Sequence, residues 1–501
     1  MIEPDLGRGG TSSIGVGVEL NELALSIGAA PPIRSVRVTG ASDDSRTVRP
    51  GDLYVALPGR RAHGLDFELE AKARGAVAAL SDRASTVLPT LVVPNPRRRV
   101  GEVCARIHRF AHRDLDLYGV TGTNGKTSTT LLLGAGLAAA GDSVATMTGI
   151  GLAGPRGAEE SARTTPEAAT VHRTLRRFRD EGATAVALEV SSHAVTEHRV
   201  DGLRFAVMGF LNLTPDHLDY HGDMDSYFAA KAELFSAHRS TRAVINVGDP
   251  HGKILAGRLD IPCWTWSTAD RDADVRGENV ECTDVGTSLT ARTPMGDVEI
   301  RLPLLGPHQA ENALAALTMA LAAGRDIAAV AAGLERLDAV PGRLERVDVG
   351  QPFLAVVDYM HNTAGQRALL PFVRSVVSGR LIVVVGATGE RDPGKRFPLG
   401  RTAATLADVV VVSDESPLSE DPGTIRAAVE EGARAARSAV VVVEADRRRA
   451  VEHAVAIAQP GDAVVVAGRG CDAEQVYGDH IVRFDDREVL RDVLAAHVAR
   501  S

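Results

Sequence analysis

Leu115-Asp-Leu-Tyr-Gly-Val-Thr-Gly-Thr-Asn-Gly-Lys-Thr127 is the stretch whose reading decides the fold. Its first half is an apolar run that reads as a buried strand. Its second half is a glycine-rich turn that opens a helix over Ser128–Ala140, closed by Gly141 as a C-cap. A turn between a strand and a helix N-terminus presents backbone amides and the positive end of the helix dipole, which is how chains cradle phosphates. Lys126 is then placed to reach the β- and γ-phosphates and the Thr127 hydroxyl to bind Mg²⁺. Gly122, Thr123, Asn124, Gly125 and Ser128 complete a nucleotide-binding set. The spacing departs from the strict G-x-x-x-x-G-K-[ST] pattern, because Val120 stands where its first glycine belongs.

Working outward, strand-like runs recur at Ala185–Val190, Phe205–Leu213 and Arg242–Val247, with helical segments between them. That alternation predicts an α/β fold with a mainly parallel sheet. The stretch Trp264–Leu302 is polar and β-like and reads as an antiparallel insertion, followed by a helix over Gln309–Ala323. Val340-Pro-Gly-Arg343 reads as a linker. Beyond it, Phe353–Tyr359, Leu381–Val385, Asp408–Ser413, Ala439–Glu444 and Asp462–Ala467 are Val-rich runs that predict a second, Rossmann-like doubly wound domain. Upstream, Leu53–Leu57 and Thr90–Val93 belong to a small α/β unit. The expected division is a disordered tail (1–15), an N-terminal domain (16–113), a central nucleotide-binding domain (114–341) and a C-terminal domain (342–501).

A length of 501 residues suits three or four domains. The net charge of -9, with no long basic run, argues against nucleic acid as a partner. No apolar stretch reaches the ~18 residues that would span a membrane. The opening residues lack an apolar signal core. Cys104, Cys263, Cys282 and Cys471 are scattered and make no C-x-x-C pair, which fits a reducing, cytoplasmic setting.

Two further segments carry candidate chemistry. Ala-Leu-Glu189-Val-Ser-Ser-His193 ends a buried strand on a carboxylate, which suits a metal ion beside a triphosphate. In Asn212-Leu-Thr-Pro-Asp-His217-Leu-Asp-Tyr-His-Gly222, His217 is suited to a second Mg²⁺ or to lining the anion site. Lys231 lies on an Ala-rich helical stretch, where a lysine taken alone is a solvated surface residue.

The variant loop Thr-Gly-Thr-Asn-Gly-Lys-Thr127 resembles that of the Mur ligase family and of the related folylpolyglutamate synthetases. The resemblance extends over nearly the whole chain after the tail and implies the three-domain architecture of that family. Asp43-Asp-Ser45-Arg46 resembles part of the UDP-binding domain of the members that add the third residue of the peptide, which implies Ser45 and Arg46 near the uridine diphosphate. Arg163-Thr164-Thr165-Pro-Glu167 and Ser191 through Arg199, including Glu197, resemble the muramoyl-peptide contacts. His308-Gln-Ala-Glu-Asn312 resembles the segment that holds the adenine, and Arg343, Asp358 and His361 resemble residues that meet the nucleotide from the third domain. The resemblance implies that Lys231 carries a carbamate, a carboxylate-like ligand for the second Mg²⁺. It further implies ATP and Mg²⁺ as cofactors, a UDP-linked muramoyl peptide and an amino acid as substrates, a role in peptidoglycan synthesis, and a monomer. The expected reaction is phosphorylation of the D-glutamyl γ-carboxylate, then attack by the amine on the acyl-phosphate. Lys126, Glu189, His217 and Lys231 are the expected catalytic set. The alternative is a Mur-like amide ligase acting on another acid in specialised metabolism.

The sequence also departs from the family. Where diaminopimelate-adding members carry Asp-Asn-Pro-Arg, this chain reads Glu415-Ser416-Pro417-Leu418, and leucine cannot grip a distal carboxylate. The expectation is therefore an amino acid other than diaminopimelate. Asp414 and Glu415 suit a cationic side chain, or cap a strand end. Gly-Lys-Gly-His-Glu is replaced by Gly468-Arg-Gly-Cys471-Asp472, Asp-Tyr-Ala-His-Thr-Pro by Asp358-Tyr-Met-His361-Asn-Thr, and a glutamine of the muramoyl-peptide segment by Glu197.

Overall fold

Strands covered by helices on both faces are buried on both sides, so they are apolar throughout rather than alternating. Asp116–Thr121, Ala185–Glu189 and Val207–Phe210 meet that condition. In the computed structural model, which describes residues 17–500 apart from 60, 61 and 162, they are the centre of an eleven-stranded sheet. The tail expected over residues 1–15 lies outside the described residues. Val144–Thr148, Ala185–Glu189, Asp116–Thr121, Val207–Phe210, Ala243–Asn246, Cys263–Ser267 and Val275–Cys282 run parallel in that spatial order. Thr287–Thr293 and Gly296–Leu302 then extend it antiparallel. The segment expected as an insertion thus continues the same sheet instead of standing apart. Within that segment Cys263–Ser267 pairs with Val275–Cys282 in parallel, so the expected antiparallel arrangement holds only for the pairings that follow.

Helix Lys126–Ala139 lies against Pro307–Ala322, which is buried almost all round and lines the core with Ala310, Ala313, Ala316 and Ala320. Small residues let the helices approach closely. A Cβ on Gly333, in helix Ile327–Leu334, would stand 2.4 Å from the Ala135 carbonyl oxygen.

The N-terminal lobe is a four-stranded parallel sheet, Gly40–Ser42, Asp52–Val55, Ala78–Ser81 and Thr90–Val92. It docks through helix Arg97–Ile107, where a Cβ on Gly101 would come within 2.1 Å of the Asp201 carbonyl oxygen. The C-terminal lobe is a six-stranded sheet ordered Glu345–Arg346, Leu354–Asp358, Ala463–Ala467, Leu381–Val385, Val409–Val412, Val440–Val443, parallel except for its first pair. Glu474–Tyr477 and His480–Arg483 add a polar hairpin that the sequence pattern does not announce. No helix among the described residues is long and apolar enough to cross a membrane.

Candidate active site

The loop Gly122–Gly125 leaves the central strand and turns into helix Lys126–Ala139 through Gly125, whose φ of +86° favours glycine. A Cβ there would also stand 2.4 Å from Asn312 Oδ1. Asn312, on the neighbouring helix, accepts from Thr129 Oγ1 at 3.2 Å and donates to Gln309 Oε1 at 3.0 Å, so it is held at the mouth of the loop. Asn212 clamps the other side. Its Oδ1 accepts from the Thr123 and Asn124 amides at 3.1 and 2.9 Å, and its Nδ2 donates to the Asn124 carbonyl at 3.2 Å. Asn212 was not among the expected site residues. The available signal was an asparagine opening the Asn-Leu-Thr-Pro turn straight after a strand.

Two charged side chains of this site, Glu189 and Lys231, are buried, and a third, Lys126, is half-buried. Lys126 Nζ donates to the Gly122 and Thr123 carbonyls at 3.1 and 2.9 Å, and burial lowers its pKa against the pull of Glu189. Burial raises the Glu189 carboxyl, while Lys126 and the Thr127 hydroxyl oppose the rise; its Oε1 accepts from the Gly149 amide at 3.1 Å. Lys231, read in isolation as solvated, is 1% exposed. Its Nζ donates to the Gly122 carbonyl at 3.0 Å and lies 4.7 Å from the Tyr227 ring centroid. Burial, and then the Lys126 charge, hold its pKa well below the ordinary lysine value.

His217 is exposed, has φ +53°, and packs edge-on against His193 with ring centroids 4.7 Å apart. Thr165 Oγ1 donates to the Glu189 carbonyl at 2.9 Å and accepts from the Ser191 amide at 3.1 Å, and Ser191 caps the following short helix. Thr164 lies over Gly149. Arg199 donates to the Thr165 carbonyl at 3.2 Å and pairs with Glu167 at 3.1 Å. Thr164, Thr165, Ser191 and Arg199 therefore border the phosphate loop.

From the C-terminal lobe, the Arg343 guanidinium stacks 4.3 Å from the Tyr359 ring centroid, and its charge reaches both Lys126 and Glu189. Asp358 accepts from the Leu344 and Met360 amides at 2.7 Å each, and burial pushes its carboxyl up to about 6. His361 is bonded through Nδ1 to the Tyr359 carbonyl at 2.9 Å, and burial lowers its pKa below the ordinary histidine value against that contact.

Glu415, Ser416, Leu418, Gly468 and Asp472 form a second cluster at the strand ends of that lobe. Glu415 is buried, accepts from Thr388 Oγ1 at 2.7 Å through Oε1, and leaves Oε2 without a partner. Gly468, with φ +114°, opens space beside that oxygen, since a Cβ would stand 2.8 Å away. Ser416 Oγ accepts from Arg469 Nη1 at 3.1 Å, and burial raises the Asp472 carboxyl. Leu418, at φ +55°, is pinned by its amide to the Val476 carbonyl at 3.0 Å. Asp414 is paired with Arg426 and accepts from the Tyr477 hydroxyl at 3.4 Å, which makes it part of the strand-end framework.

The pair expected near the uridine diphosphate is not joined to this centre. Ser45 Oγ donates to Glu70 Oε2 at 2.7 Å, and Arg46 pairs with Asp44 at 2.7 Å on the surface.

The residues present fit Mg²⁺ held between nucleotide and protein. Among the described residues no group of three His, Cys, Asp or Glu side chains could hold a metal ion. Glu189 and Thr127 supply one carboxylate and one hydroxyl, the small donor set that suits Mg²⁺ when phosphate oxygens complete the shell.

Family models match three consecutive stretches: "Mur ligase family, catalytic domain" over 37–113, "Mur ligase middle domain" over 120–320 and "Mur ligase, glutamate ligase domain" over 342–470. A Streptomyces avermitilis protein named UDP-N-acetylmuramoyl-L-alanyl-D-glutamate–2,6-diaminopimelate ligase is 44% identical, over 95% of this chain and 96% of its own. A Leifsonia xyli protein named UDP-N-acetylmuramyl-tripeptide synthetase is 42% identical, over 91% and 92%. A solved structure of a UDP-N-acetylmuramoyl-L-alanyl-D-glutamate–2,6-diaminopimelate ligase, 30% identical, superposes with a TM-score of 0.68 over 96% of this chain and 99% of that one. With the phosphate loop, the buried Lys231 beside it and three matched domains in one chain, the protein belongs to the Mur ligase family.

Proposed function

We propose that this chain is an ATP-dependent amide ligase that joins an amino acid to the D-glutamyl γ-carboxylate of UDP-N-acetylmuramoyl-L-alanyl-D-glutamate in the cytoplasm. The observation that carries the reading is the convergence of Lys126, Glu189 and Lys231 on one glycine loop, the last two buried and Lys126 half-buried. Desolvated charges of that kind suit a phosphoryl group in flight, whose negative charge is spread over three oxygens, and are costly in a mere structural turn.

Lys126 leaves its two carbonyl partners to meet the β- and γ-phosphates, and the loop amides held by Asn212 orient them. Glu189 and Thr127 would hold Mg²⁺, which would supply positive charge to offset that on the transferring phosphoryl oxygens. Lys231, biased towards the neutral amine, is suited to take up CO₂ with loss of a proton; the carbamate so formed and His217 would hold a second Mg²⁺. Thr165, Ser191 and Arg199 orient the acyl substrate so that its γ-carboxylate attacks the γ-phosphorus, the bond to the bridging oxygen breaks and ADP leaves. The amine of the incoming amino acid then attacks the acyl-phosphate and phosphate leaves. Arg343, Asp358 and His361 act from the third lobe when it closes on the nucleotide.

Names carried by the relatives make diaminopimelate the first amino acid to test. At position 418 this chain offers leucine, so any grip on a distal carboxylate must come from another residue. The unpartnered Glu415 Oε2 suits an ammonium group of the amino acid. The test is phosphate release with ATP, Mg²⁺ and the UDP-dipeptide across a panel of amino acids. Turnover that needs both acyl substrate and amino acid supports the reading; ATP binding without such turnover refutes it.

A further inference from the structure

Glu197 stands at the seam between the N-terminal lobe and the central domain, and both of its carboxylate oxygens are engaged. Arg97, from the first turn of the N-terminal-lobe helix Arg97–Ile107, reaches Oε2 at 3.1 Å. Tyr220, from the short helix Leu218–His221 that follows His217, donates to Oε1 at 2.8 Å. The two neighbours are both donors. A carboxylate satisfies them together, whereas an amide has one oxygen to offer and turns two donor hydrogens towards the rest. The glutamate that replaces the family's glutamine is thus matched to its surroundings in this chain.

The contacts continue beyond Tyr220. Its ring lies 4.2 Å, centroid to centroid, from His193, and His193 packs edge-on against His217 at 4.7 Å. Arg97 makes a second contact, 3.5 Å to Glu167, and Glu167 in turn holds Arg199 at 3.1 Å. One arginine of the N-terminal lobe therefore touches both flanks of the phosphate site: Thr165 through Glu167 and Arg199, and His217 through Glu197, Tyr220 and His193. Partial burial keeps these pairs from being screened as exposed ones are; the Arg97 and Glu197 side chains are 32% and 29% exposed.

We propose that Arg97 is a positioning residue, acting through Glu197 and Tyr220 on the His193–His217 ring pair, so that seating of the N-terminal lobe sets the placement of His217 beside the phosphates. The role given to His217 rests on the ligase reading above; the relay itself does not.

The test uses the full chain with labelled histidines and the variants Arg97→Ala, Glu197→Gln, Tyr220→Phe and Arg97→Ala with Tyr220→Phe. Ring resonances of His193 and His217, read without nucleotide, are expected to move in each single variant. Arg99→Ala, which breaks only the 3.6 Å pair with Glu102 on the same helix, is expected to leave them in place. In turnover, the Mg²⁺ concentration for half-maximal phosphate release is expected to rise about fivefold or more in each single variant, the range of measurable site-to-site coupling. The double variant is expected to be no worse than the singles, because groups in one relay are not additive. Unmoved His217 signals in folded Glu197→Gln, or additive effects in the double variant, overturn the inference. Wild-type chain that releases no phosphate overturns the ligase reading instead, and the ring signals still decide the relay.

Discussion

Lys231 shows what a single side chain contributes when its surroundings are set against its charge. Its folded-state pKa is depressed, so between that value and the ordinary lysine value the unfolded chain binds a proton that the folded chain releases. Stability therefore rises with pH through that window and is lower at pH 7 than it would be without the ammonium. Lys231→Met keeps the length and removes the charge. The expected result is a Tm at pH 7 equal to or above that of the wild type, with ligation reduced at least ~100-fold, read by thermal melts and phosphate release. Gly125→Ala acts in the opposite sense on stability. It places a side chain at φ +86°, at about 1–2 kcal/mol, and drives a Cβ into Asn312 Oδ1. The expected outcome is a KM for ATP raised about tenfold with less change for the amino acid; an unaltered ATP KM would refute the clamp.

Among the elements, the Val-rich strands of the C-terminal lobe and the helix after the phosphate loop were legible to within a residue or two, whereas parallel strands such as Val144–Thr148 and Ala78–Ser81 were not. Apolar runs such as Val409–Val412 have few other uses, and Gly-Lys-Thr opening a helix fixes its start. The hairpin Glu474–Arg483 was not legible, because its stability comes from a residue outside it. Arg469, 1% exposed, donates through Nη2 to the carbonyls of Asp472, Glu474 and Phe484 at 2.9 Å each. Arg469→Lys keeps the charge and loses the planar fork, leaving buried carbonyls unpaired. The expected cost is about 2–4 kcal/mol in denaturant melts, with faster proteolysis inside 474–483. Because the hairpin pins Leu418, the KM for the amino acid is expected to rise with it.

At the scale of the whole molecule, the seam between the N-terminal lobe and the central domain carries three buried histidines. His108 and His112 follow helix Arg97–Ile107, and His172 lies on helix Ala168–Asp180, its ring 5.8 Å from that of His112. Burial first, then neighbouring charges including His172, Arg176, Arg173 and Arg179, pushes His108 down to about 3. Burial likewise takes His112 to about 4, with Arg113 lowering and Asp114 raising it, and His172 to about 4, against its contact with the Asp201 carbonyl. As pH falls below the ordinary 6.5 the unfolded chain gains protons that the folded chain refuses, so stability is lost progressively down to about 4. Each group contributes up to about 3 kcal/mol of that loss. The expected result is a clear fall in Tm from pH 7 to pH 5, flattened in His108→Leu; an equal slope in that variant would assign the loss elsewhere.

The sequence by itself determined the α/β class, the phosphate loop, Glu189 and the family, because strand burial and loop chemistry are written in consecutive residues. Tertiary structure alone decided that Lys231 is buried, that Asn212 and Asn312 grip the loop from opposite sides, that Glu197 belongs to Arg97 and Tyr220, and that the antiparallel strands finish the central sheet. Apart from those strands, which pair with near neighbours in the chain, each of these joins residues far apart, and the desolvation and pairing that give them their properties exist only once the elements have packed.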